Sequence, residues 1–226
     1  MENIYHIDVE DFEDLMFQLE ISFDFKFELE EITNNMTIDE LSELVISKIN
    51  MENGQDCATQ IAFYKIRKAL TEKLGIKNNT INPKTQLETV FPKKNRIKNW
   101  KNLFGEFNYK EIDLQPSPIP YTISILTTVI SFFFLFGSYK LYAIPIFIFS
   151  IILTKLLSKY GKRFPSKNMG ELIKRIVRFN YKNVRTEKGT INILETKNLI
   201  FHHLTDWLQP SEMENMNMNT KINYID

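Results

Sequence analysis

The stretch Tyr121–Leu157, YTISILTTVISFFFLFGSYKLYAIPIFIFSIILTKLL, decides the fold of this chain. Its only charged residues are Lys140 and Lys155. It is too long for one helical span, because a bilayer core about 30 Å thick takes ~20 residues of helix. Gly137–Lys140 divides it, since glycine, serine and a lysine that reaches back to the headgroups suit a tight turn. We therefore predict a transmembrane helical hairpin at residues 119–158.

Two other arrangements would show the same apolar pattern. A helical hairpin could be buried in a large soluble core, but the rest of the chain is too small to cover so many Phe and Ile side chains. A shallow re-entrant loop is the other alternative, because both limbs of the hairpin are short for a full span.

Charge is divided unevenly along the chain. Residues 1–60 carry sixteen Asp/Glu and two Lys/Arg, residues 61–120 carry five and twelve, and residues 158–205 carry three and eleven. The chain is therefore an acidic head followed by two basic segments that flank the apolar stretch.

Basic flanks on both sides of the hairpin predict that both termini are cytoplasmic. The abundance of Asn, Ile and Lys hints at a bacterial genome, so we expect the bacterial inner membrane. The same flanks could bind anionic headgroups of the lipid bilayer. Nucleic acid is the alternative ligand, but the closeness of the charges to the hairpin favours the membrane. The flanking residues are Lys93, Lys94, Arg96, Lys98, Lys101, Lys159, Lys162 and Arg163.

The soluble segments predict helices, so the expected fold class is all-α. Val9–Phe23 has apolar residues at helical spacing, and Thr37-Ile38-Asp39-Glu40 is a capping box that opens the next helix. Ile61–Leu74 and Arg96–Phe107 are two further helices. Five segments are predicted: an acidic helical domain (1–60), a basic helical domain (61–118), the hairpin (119–158), a C-terminal helical segment that packs with the soluble domains (159–212) and a disordered tail (213–226).

The segment Asp8–Ile49, DVEDFEDLMFQLEISFDFKFELEEITNNMTIDELSELVISKI, resembles the last three helices of acyl carrier proteins. In that family an acidic helix leads through a Phe-Asp/Gly turn, here Phe23-Asp24, to a Thr-capped helix. A looser match runs from Ile61 to Tyr181, with the membrane hairpin inserted into it. The resemblance implies small helical bundles of acyl-carrier type.

The family carries a phosphopantetheine arm on the serine of an Asp-Ser-Leu motif. The matching stretches here are Asp8-Val9-Glu10 and Pro92–Arg96, and neither contains serine. The resemblance therefore implies no prosthetic group, so no cofactor is expected. Carrier proteins bind their partners through the acidic helix, which implies Glu10, Asp14 and Glu20 as partner contacts.

The first carrier-like unit lacks its first helix. We hypothesise that the predicted C-terminal helix, at about 194–208, docks on Asp8–Ile49 and completes a permuted four-helix unit. The sequence leaves open whether this docking occurs within one chain or between two copies, which would form a homo-oligomer.

Catalytic and metal-binding patterns are not found in the sequence. His202 and His203 are adjacent, so they project about 100° apart on a helix and cannot share one metal. His6 is the only other histidine, and Cys57 is the only cysteine. Phosphate loops, nucleophile elbows and zinc-protease motifs do not occur. We therefore expect neither catalytic residues nor a metal site.

These observations predict a non-catalytic bacterial inner-membrane adaptor or scaffold, whose cytoplasmic carrier-like domains bind a protein partner. Two alternatives remain. The chain could be an accessory subunit of a membrane enzyme that processes lipid or acyl groups, or an immunity or structural component of a larger membrane assembly.

Overall fold

A computed structural model of the chain describes residues 4–28, 30–205 and 216–225. This part of the chain is mostly helical, as the all-α prediction requires. It divides into two compact units. The first comprises Met1–Ala69, Tyr109–Glu111 and Ile173–Asp226, and the second comprises Leu70–Asn108 and Ile112–Leu172. By sequence the first carries 23 Asp/Glu and 14 Lys/Arg, and the second carries 5 and 14, so we name them the acidic unit and the basic unit.

The elements of the described residues follow one another along the chain with short connections. In order they are β1 (Ile4–Asp8), α1 (Val9–Phe23), α2 (Ile38–Lys48), β2 (Glu52–Asn53), α3 (Ala58–Leu74), a 3-10 turn (Asn78–Thr80), α4 (Leu87–Val90), α5 (Arg96–Phe104), α6 (Pro118–Phe134), α7 (Lys140–Lys159), α8 (Met169–Arg185), β3 (Thr190–Ile191), α9 (Ile193–Thr205) and β4 (Lys221–Ile225).

Helices α1 and α2 form where their capping residues predict. The Asp8 carboxylate accepts a hydrogen bond from Glu10 N at 2.9 Å, which satisfies one of the free amides of the α1 N-terminus. Thr37 and Glu40 form the predicted capping box of α2. The apolar face of α1 is buried, with Leu15, Leu19 and Phe23 fully covered, because helical spacing places these side chains on one side.

Helix α9 packs against α1 and α2 within the acidic unit of a single chain. Lys197 of α9 reaches Asp39 at 2.7 Å and Glu43 at 2.5 Å on α2, and these two bonds raise the pKa of Lys197. The docking hypothesised for the C-terminal helix therefore occurs in cis in this structure. Residues 206–208 of that hypothesised helix, including Trp207, lie outside the described residues.

The prediction of a disordered tail at 213–226 is wrong for its described part. Strand β4 pairs in parallel with β1, in a register that sets Ile4 opposite Lys221. Ile222 is buried, its amide donates to Met36 O at 2.8 Å, and Tyr224 stacks on Phe12 with ring centroids 4.7 Å apart. These partners lie more than 180 residues away in sequence, so the polar composition of the tail did not indicate them.

The core of the basic unit outside α6 and α7 is an aromatic cluster. Phe91, Phe104 and Phe164 surround Trp100, with ring centroids 4.6–5.4 Å from the indole. The indole N–H donates to Ile112 O at 3.2 Å, so the polar atom of this buried side chain is satisfied. Trp100 is therefore an anchor of the core.

Candidate functional site

Helices α6 and α7 pack side by side and form the candidate membrane site. By length and composition α7 is able to cross a membrane, and it is the one helix in the described residues that meets both criteria. Its 20 residues rise about 30 Å, which matches the hydrocarbon core of a bilayer. Helix α6 is a shorter apolar helix of 17 residues, or about 26 Å.

The outer surface of this helix pair is apolar. The described residues include 24 large hydrophobic side chains that are exposed, and 20 of them lie between Ile119 and Tyr160. Phe133 and Phe149 are 69% and 65% exposed. Burying one such side chain contributes about 1.5–3 kcal/mol, and a folded domain is stable by only about 5–15 kcal/mol in total. A surface of this size is typical of a face covered by another apolar phase.

The interior between the two helices is small and polar instead. Ser124 and Ser150 are 2% exposed, and the Ser124 hydroxyl is 2.5 Å from Thr154 Oγ1 and 3.2 Å from Ser150 O. Thr128 donates to the Ser150 hydroxyl at 2.9 Å. Ser and Thr let helix backbones approach closely and bond to each other, which is how helices associate where lipid removes the hydrophobic driving force.

Tyrosines occupy both ends of the helix pair. Tyr121 and Tyr160 lie at the end where the chain enters and leaves, and Tyr139 and Tyr142 lie at the turn. Tyrosine is enriched at both membrane–water interfaces, because its ring is apolar and its hydroxyl is polar. Lys140 begins α7 at the turn, so its amine can reach the same interface.

The base of the helix pair is clamped to the rest of the basic unit. Gln115 and Arg163 exchange backbone hydrogen bonds of 2.8 and 3.0 Å just outside the two helices. At Gly161 there is no room for a side chain, because a Cβ would lie 2.5 Å from the Gln115 carbonyl carbon. The two helices are therefore held together at the base by backbone contacts as well as by their hydroxyls.

Arg96, one of the predicted membrane-flanking residues, is buried at 4% exposure. Its guanidinium donates to Phe91 O at 3.0 Å and Lys162 O at 2.7 Å, and it stacks over Phe164 at 4.2 Å from the ring centroid. The placement of Arg96 at the lipid headgroups is therefore corrected. Arginine suits this place because its planar fork serves several acceptors while its face stacks on an aromatic ring.

The other predicted flanking residues are exposed and lie in the basic unit. Two lie in the turn before α5, two on α5, one at the end of α7 and two in the segment that follows α7. They are Lys93, Lys94, Lys98, Lys101, Lys159, Lys162 and Arg163.

The three predicted partner contacts on α1 differ in their surroundings. Glu10 and Asp14 are exposed and one helical turn apart. The Glu20 side chain is only 14% exposed, forms a salt bridge with Lys26 and accepts a hydrogen bond from Phe27 N at 2.9 Å. Glu20 thus closes the turn after α1, and the exposed acidic face is formed by Glu10, Asp14 and the exposed Asp11 and Glu13.

The histidine pair predicted not to ligate a metal is separated by burial. His203 is buried, and burial, followed by the charge of Arg178, lowers its pKa to about 3. The imidazole is 3.3 Å from Arg178 Nε and 3.1 Å from Arg178 O, so the neutral ring accepts one bond and donates the other. His202 is exposed. In the described ranges no group of three His, Cys, Asp or Glu side chains is placed to hold a metal ion.

The hydroxyl interior of α6 and α7 is the feature that sequence reasoning missed. Its signal was present, because Ser124, Thr128 and Ser131 recur at helical spacing, as do Ser150 and Thr154. The apolar residues around them dominate the pattern and concealed it.

A comparison of the chain with protein-family models finds no match. Comparisons with the curated proteins and with the solved structures find no match either.

Proposed function

We propose that this chain is a non-catalytic adaptor, anchored in a bacterial inner membrane by the α6–α7 hairpin, with its other parts in the cytoplasm. The observation that carries the proposal is the inverted hairpin, which has small hydroxyl side chains inside and large apolar side chains outside. Lipid solvates such an exterior, whereas water would leave it unsatisfied. The tyrosines and the exposed lysines at the ends support the same placement.

The acidic face of α1 is the proposed docking surface for a basic protein partner. Glu10 and Asp14 are exposed, and complementary charge mainly speeds association and selects the partner. The resemblance of Asp8–Ile49 to acyl carrier proteins adds to this, because that family binds partners through the corresponding helix. Val9 opens α1 where the family has its serine, so the proposed function is binding without a carried acyl group.

Topology is tested with single cysteines, because Cys57 is the only native cysteine and is exposed. In a Cys57→Ser background, Ser138→Cys places a thiol in the turn of the hairpin and Ser117→Cys places one at its base. A membrane-impermeant maleimide applied to intact spheroplasts should label Ser138→Cys and spare Ser117→Cys. Native Cys57 should also be spared until the cells are permeabilised.

Other labelling patterns would contradict parts of this topology. Sparing of Ser138→Cys before permeabilisation would mean that the hairpin re-enters without crossing. Labelling of native Cys57 from outside would reverse the orientation. Release of the chain from membranes by alkaline carbonate would contradict membrane anchoring altogether.

Partner binding is tested by charge reversal on the full chain in detergent. Glu10→Lys with Asp14→Lys should abolish recovery of the partner that the native chain captures from its host. Glu30→Lys with Glu52→Lys makes the same change in net charge at exposed positions outside α1, and should leave recovery unchanged. Equal recovery with both variants would remove α1 as the docking surface.

A further inference from the structure

The half of the hairpin next to the turn contains a groove. Near the base α6 and α7 are joined by hydroxyl contacts, whereas toward the turn their facing residues are Ser131 and Ala143, which are 5% and 4% exposed. Because these two side chains are small, a cavity of about 410 Å³ remains between walls that include Ile130, Phe134 and Ile146. This volume is in the range of small-molecule pockets.

The hydroxyls in the groove are already bonded within α6. Ser131 Oγ donates to Thr128 O at 3.0 Å, and Thr127 Oγ1 donates to Ile123 O at 2.8 Å. Neither hydroxyl therefore needs a hydrogen-bond acceptor from an occupant. The groove fits an apolar chain, whose insertion costs no desolvated polar group.

A positive charge lies at the end of the groove. Lys140 is exposed and follows Tyr139, which lines the groove, and it is the only charged residue from 121 to 154. It also begins α7, whose N-terminal end carries a positive partial charge. An apolar groove with a cation at one end matches an amphipathic molecule with an anionic head.

We propose that this groove binds one acyl chain of an anionic phospholipid, with its headgroup phosphate at Lys140. The proposal rests on the proposed membrane insertion of the hairpin. The lining residues of α7 extend from Tyr142 to Ile146 and the turn adds Tyr139, a rise of about 10 Å, which is less than one leaflet of a ~30 Å core. The groove therefore receives the part of the chain nearest to the headgroup.

The test uses the full-length protein in vesicles of three parts phosphatidylcholine and one part phosphatidylglycerol. A trace of phosphatidylglycerol carries a photoactivatable diazirine in the upper part of one acyl chain. Ala143→Leu fills the floor of the groove, and Val129→Leu adds similar bulk on the exposed outer face of α6. Labelling of residues 127–146 should fall about tenfold with Ala143→Leu, the factor that ~1.4 kcal/mol of lost affinity gives, and should not change with Val129→Leu.

Headgroup selectivity is tested separately with Lys140→Gln. The native chain should be labelled more by the phosphatidylglycerol probe than by a phosphatidylcholine probe of the same chain, and Lys140→Gln should equalise the two. Equal labelling of Ala143→Leu and the native chain would overturn the proposal, because lipid would then only surround the hairpin. Cross-linking of two chains through the groove would also overturn it, since the occupant would be a second hairpin.

Insertion is checked in each variant by labelling of Ser138→Cys in the Cys57→Ser background. Labelled turns with no groove selectivity would overturn the lipid site and leave the anchor in place. Unlabelled turns in the native hairpin would overturn the proposed anchor together with the lipid site.

Discussion

Helix α1 and the α6–α7 hairpin are built from opposite radial patterns. In α1 the large side chains of Leu15, Leu19 and Phe23 are inside and acidic residues are outside. In the hairpin the interior holds Ser124 and Ser150, and large apolar residues lie outside. A helix buries whatever its surroundings solvate least well, so the two regions indicate two solvents, water around α1 and lipid around the hairpin.

The largest expected effect is at the core of α1. Leu15→Ala removes a fully buried side chain and should lower the free energy of unfolding of the acidic unit by about 2–5 kcal/mol, because the apolar contacts are lost and a cavity remains. Leu126→Ala makes the same change on the outer face of the hairpin, where neighbours can fill the space, and should not alter this free energy. Hydrogen exchange of the α1 amides measures both, and an equal loss would contradict the contrast.

The next effect separates two exposed phenylalanines. Phe149→Lys near the middle of α7 should oppose insertion by about 2.5–3.5 kcal/mol, because a charge enters the bilayer centre. Phe17→Lys on α1, where Phe17 is 55% exposed, should stay within about 0.5 kcal/mol of the native stability. The inserted fraction is read from Ser138→Cys labelling. If both changes proved neutral, the hairpin would have to be surrounded by water.

A third prediction concerns pH and applies to the acidic unit. His203 stays neutral when folded, with a pKa of about 3, and its ordinary pKa is about 6.5. Below pH 6.5 the unfolded chain binds a proton that the folded chain does not, so this residue should reduce stability by about 1.4 kcal/mol per pH unit as pH falls toward 3. His203→Gln should remove that slope between pH 6 and pH 5.

The measurement is the exchange of α9 amides at a series of pH values. His202→Gln changes the adjacent, exposed imidazole and is the matched control, which should keep the native slope. A slope that survives His203→Gln would assign the acid sensitivity to other groups.

The smallest expected effect lies inside the hairpin. Thr128 and Ser150 should show a coupling energy of about 0.6 kcal/mol in a double-mutant cycle with alanine, since hydrogen bonds between membrane helices contribute only this much on average. Unfolding of the chain by a denaturing detergent provides the four free energies. A coupling several times larger would show that these hydroxyls serve more than helix association.

Several features were readable in the sequence because their causes are local. The α1 helix follows from apolar spacing over one segment, and it begins and ends in the structure at the predicted residues Val9 and Phe23. The capping box at Thr37 needs only Glu40, three residues later. The length and division of the apolar stretch likewise predicted two helices around Gly137–Lys140, and the structure has helices on both sides of that turn.

What the tertiary structure alone decided involves residues that are distant in sequence. Arg96 is a surface lysine's equal by composition, but the carbonyl of Lys162 and the ring of Phe164 draw it into the core. Strand β4 looks like a polar tail until β1 and the backbone of Met36 offer it hydrogen bonds. The sequence by itself determined the local helices and the apolar stretch. Only the folded chain determined the fate of these groups, because a buried charge or a strand edge is stable only where its partners are brought to it.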